Sequence, residues 1–391
     1  MEFRILDKEF NTLNIIDTFE SVLWTMRIAE TGDFELYTPV TNNLLNDLSI
    51  GNYFFSELFY NDATDTAALM FIETVEIESD VENGSKIKAT GRDLKSILDR
   101  RIVWTQTSFK ASVDTVDKVV ETLLNEAIIN PQDWTKTYQS GDTGSITITV
   151  LGADRKIDNF VFIKDENETY PALLEDVQYE GDTLYEAFKQ LCENYNIGFN
   201  ILYNFTTGNF EFHLIKLRDR SFEQHENVPI IFSSAYENLR SSNYIISDSA
   251  EKTVGLVVGE GDELNRMYNV VGSGSGLYRK EMNISASDIS RTKEDGTEYG
   301  NATYLSMLKD KGNKELNNNK FIKTYEGSVE TSKGFNYPGD FDIGDVVEIV
   351  NEYDISSKVL ISEIILSISA NGYSVTPTFA VYEEEPKQGG E

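Results

Sequence analysis

The chain carries one short β pattern twice, and this repeat constrains its fold more tightly than any bulk property does. The early copy runs from Leu48 to Thr90 and the late copy from Phe341 to Phe379. Each opens on Ile-Gly followed by an amide or acid, Ile50-Gly51-Asn52 and Ile343-Gly344-Asp345, and continues as an apolar strand. Each then crosses a variable loop into a long alternating strand. There Phe71, Glu73, Val75 and Ile77 correspond to Leu360, Ser362, Ile364 and Leu366, with a polar interruption at the same place. Both copies turn on Asn-Gly, at Asn83-Gly84 and Asn371-Gly372, and return as a third strand. Asn-Gly between alternating runs marks a tight type I′ hairpin, because both residues tolerate the positive φ that the turn needs. These correspondences, all in one order, indicate a duplicated unit and not two unrelated meanders.

A length of 391 residues leaves room for roughly two to four domains with proper cores. Hydrophobic residues at 40% and aromatics at 12% indicate a folded, strand-rich chain. With 66 Asp and Glu against 34 Lys and Arg, the net charge is −32. Such a surface repels polyanions, which argues against specific nucleic-acid binding and against stable association with anionic membranes. Cys192 is the single cysteine, so neither an intramolecular disulfide nor a cysteine cluster for zinc is available. The N-terminus lacks the basic and apolar regions of a secretory signal, and no apolar run approaches the ~20 residues needed to span a bilayer. The expectation is a protein that folds in a reducing cytosol.

Along the chain, Phe3–Leu6, Ser21–Glu30 and Phe34–Tyr37 read as strands, and Thr41 caps a short helix reaching Leu48. Asp93–Arg100 has helical spacing. Together with the early copy these segments predict a small β-barrel over residues 1–108. Residues 109–228 predict a peripheral α+β domain. It contains an amphipathic helix at Ser112–Ile129 (Val113, Val116, Val120, Leu123, Leu124, Ala127) and a second helix capped by Asp182 and ended by Gly198. Cys192 lies four residues after Phe188 on that second helix and reads as a packing residue. A hairpin about Thr207-Gly208 follows. Residues 229–272 and 320–382 predict a second barrel built on the late copy, interrupted by a polar insertion with a helix at 273–319. Residues 383–391 read as a flexible tail. The expected class is α+β, mainly antiparallel β, with two similar small β-barrel domains, a peripheral α+β domain and a small helical insertion.

No motif commits the chain to catalysis. The GSGSG run at 272–276 has neither Walker nor dinucleotide spacing and reads as a linker or turn. His213 and His225 lie twelve residues apart, one in a strand and one in a polar loop, with no third ligand type near them. Carboxylates are abundant, but no stretch sets two of them on facing walls of a cleft, one in apolar surroundings, as glycoside hydrolysis requires. Asp340, Asp342 and Asp345 around Gly344 come nearest to a calcium loop but lack the other ligand positions. Asp345 is also matched by Asn52 in the early copy, which fits a turn-forming role better. No catalytic, cofactor-binding or metal-binding residues are expected.

Several stretches, taken in order, resemble the tail-hub (baseplate-hub) proteins of long-tailed bacteriophages, including the hub part of tail-associated lysins. They are LNIIDTFESVLWTMRIAETGDFELYTP with LSIGNYF, then IKATGRDLKSILDRRIVW, PIIFSSAYENLRSSNYIISDSAEKTVGLVVGEGDELNR, GLYRKEMNISASDI and YPGDFDIGDVVEIV. The resemblance is to the siphophage branch and covers nearly the whole chain. It implies a homotrimer in which each chain carries two similar β-barrels, so that three chains form a pseudo-sixfold ring at the virion tail tip, assembled in the host cytoplasm. The implied partners are the distal tail protein or tail tube above, a tail spike, fibre or receptor-binding protein below, and the tape measure protein. The ring would close the tube until DNA is released through the lumen, and part of the acidic surplus would line that lumen so that passing DNA does not adhere. Many relatives continue into a peptidase, glycosidase or fibre-like region. This chain stops about ten residues after the late copy, so wall-degrading or receptor-binding activity is expected on another chain. The alternative is a cell-wall hydrolase or carbohydrate-binding adhesin of the same tail tip.

Overall fold

Two compact units make up the chain, residues 1–241 with 327–391 and residues 242–326. The computed structural model describes residues 2–80, 84–139, 144–165, 167–174, 176–262, 266–293, 297–329, 334–369 and 372–382. Asn83, Asn371 and the expected tail at 383–391 lie outside these. The class is the expected one: α+β, with antiparallel pairing dominant.

The larger unit is built on two sheets. The first has seven strands in the order Phe160–Ile163, Asn209–Lys216, Ile197–Asn204, Thr66–Phe71, Tyr53–Asn61, Phe3–Leu6 and Thr12–Ile16. The second runs Arg218–Asp219, Asp345–Val350, Ser356–Ser369, Ser21–Arg27, Asp33–Pro39, Gly84–Arg92 and Thr74–Asp80. Ile231–Ser233 pairs beside Asp345–Val350, and Gly372–Val381 beside Ser356–Ser369. No closed barrel is found among the described residues: each path ends on a strand with only one neighbour. The opening strands of the early copy thus share a sheet with the hairpin around Gly208, whose φ of +70° suits the turn.

A single apolar core joins the first sheet to the helices. Val116–Leu124 continues as a π turn, Asn125–Ile129, and buries Val116, Val119, Val120, Leu123, Leu124, Ala127 and Ile128. It starts later than its periodicity predicts. Thr115 occupies the N-cap, so Val113 falls outside the helix and is 75% exposed. The second helix, Leu184–Asn194, is capped by Thr183 and not by Asp182, with Thr183 Oγ1 accepting from Glu186 N–H at 3.1 Å. Its end also differs from expectation. Asn196 takes the positive φ, +51°, while Gly198 lies inside strand Ile197–Asn204. Gly198 is required there by close approach, since a Cβ would sit 2.4 Å from Ile28 Cδ1 and 2.9 Å from the Ile28 carbonyl oxygen. Phe188, Phe199 and Phe212 pack together between this helix and the sheet, with ring centroids 5.5–6.5 Å apart.

Cys192 is buried at 0% exposure, and burial pushes its thiol well above the ordinary range. A water-soluble disulfide reagent should therefore leave the native protein unlabelled and titrate one thiol per chain only in denaturant. Rapid labelling of the folded protein would contradict the packing described here.

The smaller unit contains a three-stranded sheet in the order Tyr268–Gly272, Val254–Gly259, Glu281–Ala286, covered by helix Asn301–Asn317. From sequence, the first two of these strands are assigned to 229–272 and the helix to a separate insertion. In the structure they share one core of Val257, Val271, Ile284, Ala286, Tyr304 and Leu308. Gly312 lets the helix sit on the sheet, since a Cβ there would lie 2.4 Å from Val257 Cγ2. The GSGSG run is the connection between Tyr268–Gly272 and Glu281–Ala286, with Gly272 and Gly276 at positive φ.

Candidate functional site

The two Ile-Gly turns have the same backbone geometry. Gly51 has φ +90° and Gly344 has φ +87°, a region that favours glycine. The Asn52 N–H donates to Ser49 O at 3.1 Å, and the Asp345 N–H donates to Asp342 O at 3.2 Å. Each glycine N–H then bonds across to the long strand, Gly51 to Ile72 O and Gly344 to Ile361 O, both at 3.0 Å. Ile72 and Ile361 stand at the same place in the pattern read from sequence, so these bonds fix the same register in three dimensions. The hairpin arms also agree: Thr74–Asp80 pairs with Gly84–Thr90, and Glu363–Ser369 with Gly372–Thr378.

The copies differ in the path of the long strand. The late copy keeps a single 14-residue strand, Ser356–Ser369, with a register shift between Ile361 and Glu363. The early copy breaks at Ile72-Glu73, so that Thr66–Phe71 stays in the first sheet and Thr74–Asp80 enters the second. Gly91 permits this bend, because a Cβ at that position would lie 1.7 Å from Phe71 O. The polar interruptions, Glu73 and Ser362, mark these two irregularities.

A seam joins the early part of the chain to the late copy. Ser21–Arg27 runs antiparallel to Glu363–Ser369, with Trp24 opposite Leu366 and Met26 opposite Ile364. It occupies the same edge of the long strand as Asp345–Val350, one after the other, and Ile28 N–H donates to Ser362 O at 3.0 Å where they meet. Arg27 closes the end of the seam. Its Nε donates to Glu363 Oε2 at 2.6 Å, and its Nη1 donates to Asp33 and to Thr31 O. Burial opposes the guanidinium charge, but Asp33 and Glu363 outweigh it and hold Arg27 firmly protonated. Trp24 is fully buried in the seam and stacks on Phe59 at 4.8 Å.

The acidic residues read as the nearest approach to a calcium loop have other partners. Asp345, 1% exposed, receives Arg218 Nε at 2.7 Å, Arg220 Nη1 at 3.2 Å and the Asp342 N–H at 2.9 Å. Asp340 Oδ2 accepts from Asn336 N–H at 2.7 Å, and Asp342 Oδ1 from Ile343 N–H at 2.8 Å. Two guanidiniums stand where a cation would compete for Asp345. Among the described residues, no group of three or more His, Cys, Asp or Glu side chains is arranged to hold a metal. His213 Nε2 lies 3.4 Å from Glu211 Oε2 on the same strand, and burial lowers its affinity for a proton. His225 is exposed in the loop after Arg218–Asp219. Sequence reading missed Arg218 and Arg220. Their alternation around Asp219 is a signal that both point to one side of a strand, but nothing local names a partner more than a hundred residues away.

The fold is similar to that of solved tail proteins. The prophage MuSo2 43 kDa tail protein from Shewanella oneidensis aligns over 97% of this chain and 98% of its own, with TM-score 0.52 and 12% identity. A tail protein from Neisseria meningitidis MC58 aligns over 97% and 96%, with TM-score 0.52 and 11% identity. At such identities the likeness is one of fold, and the fold is a tail-protein fold. The chain itself belongs to the Siphovirus ReqiPepy6 Gp37-like protein family, whose profile matches residues 2–379. This membership agrees with the siphophage tail resemblance read from its sequence. No curated protein matches the chain.

Proposed function

We propose that this tail protein is the structural hub at the distal end of a siphophage tail, and that three copies form a pseudo-sixfold ring. One observation carries the reading. A single chain holds two copies of a turn-and-strand unit with the same hydrogen-bond register, and an antiparallel seam joins the chain's early part to its late copy. Three such chains offer six near-equivalent units, which suits a sleeve between a sixfold tube and a threefold spike. In this reading the distal tail protein or tail tube docks above and a spike, fibre or receptor-binding protein docks below. The tape measure protein ends at the ring, and DNA passes through an acidic lumen without adhering. The chain acts by shape and charge and not by catalysis.

Light scattering on the purified protein tests this. The expected mass is three times the 44.2 kDa of one chain, or, after addition of the distal tail protein, that mass plus the bound partner's. A particle of one or two chains under both conditions, or clearing of host cell wall in a zymogram, overturns the proposal.

A further inference from the structure

The internal repeat predicts its own intermolecular partner. In the late copy, the edge of Glu363–Ser369 is covered by Ser21–Arg27. The equivalent edge in the early copy belongs to Thr74–Asp80, which ends its sheet and pairs only with Gly84–Arg92 among the described residues. The consequence for burial is direct. Leu366 is 0% exposed beneath Trp24, while Ile77, its counterpart, is 48% exposed. An uncovered edge with an exposed isoleucine is a pairing hazard unless the assembly covers it.

The chain also contains the strand that fits. Phe19-Glu20-Ser21-Val22 opens the covering strand, and Tyr236-Glu237-Asn238-Leu239 answers it at the corresponding point before the late copy. Val22 and Leu239 are both buried, at 0% and 5% exposure. Leu239–Ser247 is then the counterpart of Ser21–Arg27. Its sheet contains only one other strand, Ile322–Val329, so one of its edges is open among the described residues, and Ile246 on it is 56% exposed.

We propose that Leu239–Ser247 of one chain adds antiparallel to Thr74–Asp80 of a second copy, repeating between chains the seam that Ser21–Arg27 and Ser356–Ser369 make within one. Transferring the register of the intrachain seam sets Ser241 opposite Ile77, as Trp24 is set opposite Leu366, and Arg240 opposite Glu78. The inference rests on the ring reading for its closure: early part to late copy within a chain, late part to early copy between chains, three times round.

Paired cysteines test the register. Directly opposed residues of an antiparallel pair have Cα atoms about 4.5–5.5 Å apart, within disulfide range. In the full chain, Ile77→Cys with Ser241→Cys should form interchain disulfides on mild oxidation, giving two- and three-chain bands on a non-reducing gel and nothing larger. Glu76→Cys with Ser241→Cys puts the thiols on opposite faces and should cross-link about tenfold less. Ile77→Lys, at a position that is exposed in the single chain, should leave the circular dichroism unchanged and shift the light-scattering mass toward one chain. A trimer that yields no 77–241 cross-link, or that survives Ile77→Lys, overturns this pairing and leaves the ring intact. A chain that remains monomeric alone and with the distal tail protein overturns both.

Discussion

Trp24→Ala is expected to destabilise the larger unit by about 3–5 kcal/mol, the usual range when a buried tryptophan is truncated in a core that cannot collapse around it. Trp24 is 0% exposed and is held from three sides. It lies opposite Leu366 across the seam, opposite Phe34 on its other neighbour, and against Phe59 and Phe54 at 4.8 and 5.8 Å. Among the described residues its indole Nε1 has no hydrogen-bond partner, so Trp24→Phe sacrifices volume but no polar contact. That variant should cost under about 2 kcal/mol. Urea unfolding followed by far-ultraviolet circular dichroism measures both. A loss below about 1 kcal/mol for Trp24→Ala would show that the two repeats do not depend on a shared core.

Asp345→Ala should cost a similar amount, about 3–5 kcal/mol, because it leaves the Arg218 and Arg220 guanidiniums without their carboxylate. Arg220 feels this most, since its side chain is 13% exposed against 49% for Arg218. The early copy has Asn52 here, and its Nδ2 donates to Asp47 O at 2.9 Å. Asn52→Asp therefore brings a carboxylate against a carbonyl oxygen and loses a donor, a change worth about 1–3 kcal/mol. The two positions share a backbone and cannot exchange side chains. If Asp345→Asn and Asn52→Asp both prove neutral in thermal unfolding, the arginine pair is not what holds the late turn.

The repeat was legible because everything that defines it is local. Ile-Gly needs positive φ at one place, and alternation fixes which side of each strand is buried. Helix positions were legible for the same reason, but their ends were not. Thr183 and Asp182 are both good caps, and only the chain's path shows which hydroxyl or carboxylate reaches Glu186 N–H. Gly198 reads as a helix stop by composition, yet its role is to clear Ile28, more than 150 positions away in the chain. The seam was illegible for that reason as well. Arg27 and Glu363 are 336 residues apart, and neither has a local signature that names the other. The break at Ile72-Glu73 appeared in the sequence only as a polar interruption, with no indication that the early copy would divide between two sheets.

The three-stranded sheet and its helix enter the chain between Leu239–Ser247 and Ile322–Val329, two strands that pair with each other. At the corresponding point of the early half, Ser21–Arg27 and Asp33–Pro39 are linked by just five residues, 28–32. A link that can hold either a tight bend or a whole folded body is a natural exchange point. Lengthening such a link costs only about 0.6 kcal/mol for each doubling of its length, so the body it carries leaves the pairing of the strands on either side undisturbed.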